Sequence, residues 1–351
     1  MIALSRNEVA RMLMGVILAA VILLVLAPAV LSEFRLSLLA KFICYAMVAV
    51  GIGLAWGKGG MLTLGQGVFF GLGAYMMAMH LKLSDAGPGG VPDFLTLYGD
   101  GQLPGWWLPF RSGGLTIVLI IVVPTLLAWG LGYAVFSRRV KGAYFAILSQ
   151  ALAAAFAIYL VGQTKIGGTN GLNGFRSFFG YRLADPANKQ MLFTIASVLL
   201  IVMVVVVWQL YRSRYGELLV AVRDQEERVR FLGYDPAQVK VFAYVVAAVM
   251  ASVGGAMFVP IVGIVSPSEV GVVPSIGFLI GVAIGGRATL LGPVLGALGV
   301  AYAETTLSEN FPSFWTYFQG ALFIVVIAFL PGGLASLGSL VRRLRRQPQE
   351  V

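Results

Sequence analysis

Residues 12–31 (MLMGVILAAVILLVLAPAVL) form an unbroken apolar run. A helix needs about 20 such residues to cross the hydrocarbon core of a bilayer. Further segments meet or approach that standard at 36–56, 61–81, 114–136, 142–162, 190–211, 238–258, 271–286, 288–305 and 314–331. The pattern predicts an all-α, polytopic membrane protein with about ten spans, one transmembrane domain over 1–351. The third segment is Gly-rich, and the eighth is short, bounded by Pro274 and Gly285-Gly286. The first run exceeds the 7–15-residue core of a signal peptide, and more spans follow it, so it reads as a membrane helix. Charged residues make up 11% of the chain and apolar residues 59%. Ordinary globular domains carry roughly 25% charged residues. So few charges cannot cover a soluble surface, which excludes soluble enzymes and nucleic-acid binders.

The net charge of +10 is a matter of placement. With an inside N-terminus and ten spans, the outer side holds Arg35, Lys41, Lys82, Arg111, Lys165, Arg176, Arg182 and Lys189, and the inner side holds the other 17 of the 25 basic residues. The inner side is therefore strongly positive, as the positive-inside rule requires. The expected topology has both termini inside, including the basic tail at 341–351. It puts the loops at 138–141 and 212–237 inside, and the segments 84–112 and 163–189 outside. Trp106-Trp107 in the first outer segment suit the headgroup boundary.

The inner loop, RSRYGELLVAVRDQEERVRFLGYDP, is the most informative polar piece. Read as a helix, it puts Leu218, Val222, Val229 and Leu232 on one stripe, with Arg223, Asp224, Glu226, Glu227, Arg228 and Arg230 around the rest. Gly233 and Pro236 mark its end. It is either a solvated connector on the membrane surface or a docking helix for a cytoplasmic protein. Mixed charge favours a protein partner over anionic lipid, which prefers a uniformly basic face. Glycine is the second signal, with seven between 57 and 73. Such glycines either let helix backbones approach closely, as in the pairs Gly67/Gly71, Gly281/Gly285 and Gly292/Gly296, or mark a helix broken beside a pathway.

Few polar residues fall inside the spans. Gln66, Ser149, Gln150, Gln319 and Glu304 are the main ones, and each suits an interhelical hydrogen bond or a passing solute. Gln150 lies near the middle of the fifth span. Lys41 can snorkel outward, and His80 and Cys44 read as packing residues. One Cys and one His leave no disulfide and no His- or Cys-based metal site. No GxxxxGK[ST] phosphate loop is present, so ATP binding on this chain in the usual way is not expected. No cofactor is expected on this chain.

Several segments together resemble one family. These are LTLGQGVFFGLGAYMMAM (62–79), VKGAYFAILSQALA (140–153), IGGTNGLNGF (166–175), ELLVAVRDQEERVRFLGYDP (217–236), the stretch 259–297 and SENFPSFWTYFQGALFIVVIAFLPGGL (308–334). They resemble the membrane subunits of ABC importers in the branched-chain amino acid permease family, and within it the urea branch through GQGVFF and SPSEVGVVPSI. Ile166 stands before GGTNG where relatives often carry Thr. The resemblance implies a multi-pass bacterial inner-membrane subunit that takes up urea through a pathway shared with a second permease subunit. It further implies two cytoplasmic ABC ATPase subunits and an external urea-binding protein. It places Glu217, Arg223, Asp224, Glu226 and Gly233 in the stretch that meets the ATPase, alongside the apolar Leu218 and Val222. The expected substrate pathway draws on Gln66, Ser149, Gln150, Thr169 and Asn170. Short amides or branched-chain amino acids are the alternative substrates, and a passive channel or secondary transporter the alternative class. A channel needs no docking helix. A membrane enzyme is disfavoured because no acidic pair lies at membrane depth.

Overall fold

A computed structural model describes residues 6–98, 101–140, 142–311, 314–329 and 333. The basic tail at 341–351 lies outside the described residues. The chain is all-α. Helix α1 (Arg6–Val21) runs through a π turn (Ile22–Leu26) into α2 (Ala27–Val30), and α3 (Glu33–Ile52) continues through a second π turn (Gly53–Lys58). Then come α4 (Gln66–Ala86), α5 (Asp93–Tyr98), α6 (Gly113–Phe136), α7 (Gly142–Val161) and α8 (Pro186–Arg212). The chain continues with α9 (Arg214–Phe231), α10 (Pro236–Val262), α11 (Val272–Gly285), α12 (Gly292–Asn310) and α13 (Trp315–Phe329). Among the described residues, six helical segments are long and apolar enough to cross a membrane: Glu33–Lys58, Gly113–Phe136, Gly142–Val161, Pro186–Arg212, Pro236–Val262 and Pro267–Gly285. The other expected spans coincide with shorter or more polar helices.

α10 is the central post. It packs against α4, α6 and α3, and α3 in turn packs on α8 and α12. Small residues make this possible. Ala243, Ala247, Ala248 and Ala251 on α10 are fully buried, and a Cβ on Gly51 of α3 would lie 2.9 Å from the Ala247 Cα. α6 and α7 are peripheral. They leave Leu126, Trp129, Ile147 and Ile158 exposed, an apolar face too broad for water and suited to lipid or a partner helix. α11 and α12 form a close hairpin. A Cβ on Gly281 would lie 2.8 Å from the Ala297 Cα, and Gly285 and Gly296 face each other's backbone as closely. The close-packing role of these glycines holds.

Two expected spans change shape. The third begins at Gln66, because residues 59–65 are not helical. Gly60 sits at φ +67°, a conformation open to glycine at little cost. The peptide N–H of Leu64 leaves the helical ladder and donates to Ser149 Oγ at 3.0 Å. The eighth span is the 14-residue α11, which rises only about 21 Å. The segment 264–269 that leads into it is a short strand and a 3₁₀ turn (Pro267–Glu269).

The basic segments expected inside gather at one end of the bundle. Arg223 Nη1 donates to the Gly57 carbonyl at 3.1 Å, Lys240 pairs with Glu226 at 2.6 Å, and the Arg287 guanidinium lies 4.9 Å from the Trp56 ring. The segments expected outside gather at the other end. Asp85 at the end of α4 accepts from the Arg176 and Ser177 peptide N–H groups at 2.7 and 3.1 Å and from Ser177 Oγ at 2.6 Å. Leu172–Asn173 pairs antiparallel with Ile264–Val265. The paired tryptophans separate: Trp106 is exposed, whereas Trp107 is buried within the protein beside Phe94. His80 and Cys44 are buried, with His80 Nδ1 2.8 Å from the Phe110 carbonyl oxygen.

Candidate functional sites: a charged cavity and a kinked surface helix

A cavity of about 690 Å³ opens between α3, α7, α11, α12 and α13. Its polar lining includes Lys41, Tyr45, Glu269, Glu304 and Gln319, and its apolar lining includes Val272 and Val300. Lys41 lies about 12 Å along α3 from Glu33 at 1.5 Å per residue. Its ammonium sits 5.7 Å from the Tyr45 ring centre, inside the range of a cation–π contact. Lys41 is close enough to act electrostatically on both Glu269 and Glu304. No ion pair engages any of the three among the described residues. The Gln319 amide is buried at the same wall. The cavity thus presents one cation, two carboxylates and an amide beside an apolar surface, a combination that can hold a small polar molecule by both its donors and its acceptors.

Sequence reasoning names Glu304, Gln319 and Thr169 but misses Lys41 and Glu269 as members of this site. Lys41 reads as a snorkelling lysine, yet it lines the cavity with Glu304, a span residue that the sequence leaves open to an interhelical bond or a passing solute. Glu269 falls in an apparent loop, which the short α11 allows to dip beside α4. A lysine inside an otherwise apolar span was the signal that could have added Lys41.

The sequence-expected pathway residues are dispersed. Thr169 lines the cavity mouth and is exposed, as is Asn170 in the same 3₁₀ turn (Gly168–Asn170). Ser149 is buried, with its hydroxyl accepting from Leu64 N–H and donating to the Ala146 carbonyl at 2.9 Å. Gln150 is half-buried on α7. Gln66 is buried at the start of α4, 1% exposed.

α9 forms at the basic end, capped by Ser213, whose side chain accepts from the Gly216 N–H at 3.4 Å. It is not one straight helix: Gln225 has φ −147° and ψ 71°, which divides it in two. The buried stripe is Leu219, Val222 and Val229. Leu218 is half-buried, one residue off the fully buried position. Leu232, expected on the stripe, is exposed, as are Phe231 and Tyr234. Leu232 lies just beyond the last helical residue, Phe231, at the C-cap, so it leaves the stripe that Val222 and Val229 keep across the kink. Val222 is buried in this chain's own core and lines, with Gly59 and Phe136, a pocket at the basic end. Glu217, Arg223, Asp224 and Gly233 remain exposed, and Glu226 is half-buried. Arg223 Nε donates to Asp224 Oδ1 at 2.7 Å, which holds that carboxyl below its usual range. Phe231, at 90% exposed, is an apolar side chain projecting from a polar end.

A multi-span helical bundle with a charged cavity and an amphipathic helix at its basic end is the architecture of a transport subunit. The chain belongs to the branched-chain amino acid transport system permease component family, whose model matches residues 34–327. It is 25% identical to the high-affinity branched-chain amino acid transport system permease protein LivM of Escherichia coli K12. The identity is the same to LivM of Salmonella typhimurium LT2. Each match covers 91% of this chain and 74% of the relative. No solved structure matches.

Proposed function

We propose that this chain is a permease subunit of an ATP-driven importer for urea, acting with a second permease subunit, two cytoplasmic ATPase subunits and an external binding protein. The observation that carries the substrate is the cavity lined by Lys41, Glu269 and Glu304. Urea has four N–H donors and one carbonyl acceptor. A carboxylate accepts two parallel N–H groups, as it does from a guanidinium, and an ammonium donates to a carbonyl. The urea-branch motifs GQGVFF and SPSEVGVVPSI support the same reading, and the second of them contributes Glu269 to the cavity. The positive-inside pattern supports a cytoplasmic α9, where exposed Phe231 and Leu232 beside Arg223 and Asp224 suit a cleft on an ATPase.

An aliphatic amino acid is the second reading. Its ammonium would face Glu269 or Glu304, its carboxylate Lys41, and its side chain Val272 and Val300. The LivM relatives named for branched-chain amino acids favour it. The test is uptake of labelled urea and labelled leucine by proteoliposomes carrying the full importer. Urea uptake that falls at least tenfold in Glu269→Gln and Glu304→Gln, with no leucine uptake, supports the first reading. Leucine uptake with no urea uptake overturns it.

A further inference from the structure

The helix break before α4 is held on both sides of Gln66. Leu64 N–H donates to Ser149 Oγ of α7 at 3.0 Å, and Gly67 N–H donates to Ser275 Oγ of α11 at 3.1 Å. Each hydroxyl proton is committed elsewhere, to the Ala146 and Gly271 carbonyls, both at 2.9 Å. Two hydroxyls from two other helices thus fix the backbone around the break. Between these anchors lie groups with no partner. Neither amide atom of Gln66 is hydrogen-bonded among the described residues, and neither is Thr63 Oγ1. Gln66 is 1% exposed and Thr63 is fully buried. Gly65 at the N-cap brings no side chain to satisfy the first turn of the 21-residue α4.

A buried amide and hydroxyl without partners are costly in a low-dielectric interior, so native structures give such groups a partner. The neighbouring serines cannot donate to them, because their protons are engaged. Gly67 lies against the Gly271 and Val270 carbonyls, and Gly271 also lines the charged cavity. The break therefore sits directly behind one wall of that cavity.

We infer that Thr63 and Gln66, at the N-terminus of α4, form a second binding point for the transported solute, reached after the charged cavity. The chemistry selects a small uncharged molecule with both N–H donors and a carbonyl acceptor. Gln66 offers one acceptor and two donors, and Thr63 a donor and an acceptor. The positive end of the α4 dipole favours the carbonyl oxygen of the guest. No formal charge is present at this point, in contrast to the cavity, so a solute that arrives by charge-assisted hydrogen bonds is passed to neutral ones and is held less tightly. This inference rests on the reading that the solute is urea.

The experiment uses the complete importer in proteoliposomes, with labelled urea and labelled leucine supplied to the wild type and to Gln66→Met, Thr63→Val, Thr63→Ser and Tyr75→Phe. Tyr75 is a control, since its hydroxyl is also buried without a partner but lies about two and a half turns further along α4. Gln66→Met and Thr63→Val are expected to slow maximal urea uptake tenfold or more, with KM and the melting temperature of the complex unchanged. Thr63→Ser, which keeps the hydroxyl, is expected to lose far less than Thr63→Val, and Tyr75→Phe is expected to run at the wild-type rate. Wild-type turnover by Gln66→Met overturns the site, as does a loss of rate that only tracks a loss of folded complex. If the wild type carries leucine and not urea, the substrate reading fails. Leucine turnover in Gln66→Met then decides the site separately: a slowed rate keeps it and an unchanged rate removes it.

Discussion

Replacing Ser149 with Ala tests whether the break before α4 is actively held. The hydroxyl makes two contacts, accepting from Leu64 N–H at 3.0 Å and donating to the Ala146 carbonyl at 2.9 Å. The second is a bond within α7, to a carbonyl that belongs to the helix ladder, so its loss costs little. The first is the sole side-chain partner of a peptide N–H that has left the helix. Water cannot easily replace it, because Ser149 is 3% exposed and a Cβ on Gly65 would already lie 2.9 Å from the Ser149 carbonyl carbon. An orphaned buried N–H costs about 1–3 kcal/mol, and the void left by one oxygen adds little. The expected loss is therefore about 2 kcal/mol. Thr125→Val is the matched control, since that hydroxyl is exposed and bonds only to the Ile121 carbonyl of its own helix. The assay is built into the chain. Cys44 is the single cysteine and is fully buried, so a thiol-reactive dye reports unfolding during a detergent or thermal titration. Stability of Ser149→Ala within about 0.5 kcal/mol of wild type, on the scale where surface changes fall, would refute the argument that this bond fixes the break.

Three further outcomes follow from the same structure. In a Cys44→Ala background, a cysteine placed at Gln225 should resist an impermeant thiol reagent in intact cells, whereas one at Gln102 should react; labelling at 225 reverses the proposed topology. Phe231→Asp should weaken capture of the ATPase subunit by tenfold or more, the size of a hot-spot loss of about 2 kcal/mol, while the melting temperature stays unchanged because the side chain is exposed. Leu218→Asp, at a half-buried position, should lower both, and wild-type binding by both variants would remove α9 from the interface. Gly281→Val should destabilise the α11–α12 hairpin by about 3 kcal/mol or more, since its side chain would overlap the Ala297 backbone, and dye labelling of Cys44 at lower temperature would report it.

Much of the protein follows from its sequence because a bilayer leaves the backbone so few choices. Apolar length alone marks α6, α7, α8 and α10 to within a few residues, since each must satisfy its own peptide groups in lipid. The gathering of Lys58, Arg223, Lys240 and Arg287 at one end follows the charge count, because topology is set by short basic loops. The family, too, is carried by linear motifs. Tertiary structure decided the rest. Whether 59–65 continues the helix depends on Ser149, which lies 85 residues away from Leu64 in sequence. Whether Leu218 or Leu219 is buried depends on how α9 docks against the bundle, which helical spacing alone does not fix. The charged cavity is the clearest case. Lys41, Glu269 and Glu304 come from three separate elements, and each alone looks like a snorkelling, interhelical or loop charge. Only the packing of α3, α11 and α12, set by glycine contacts such as Gly281 on Ala297, brings their fields into one space.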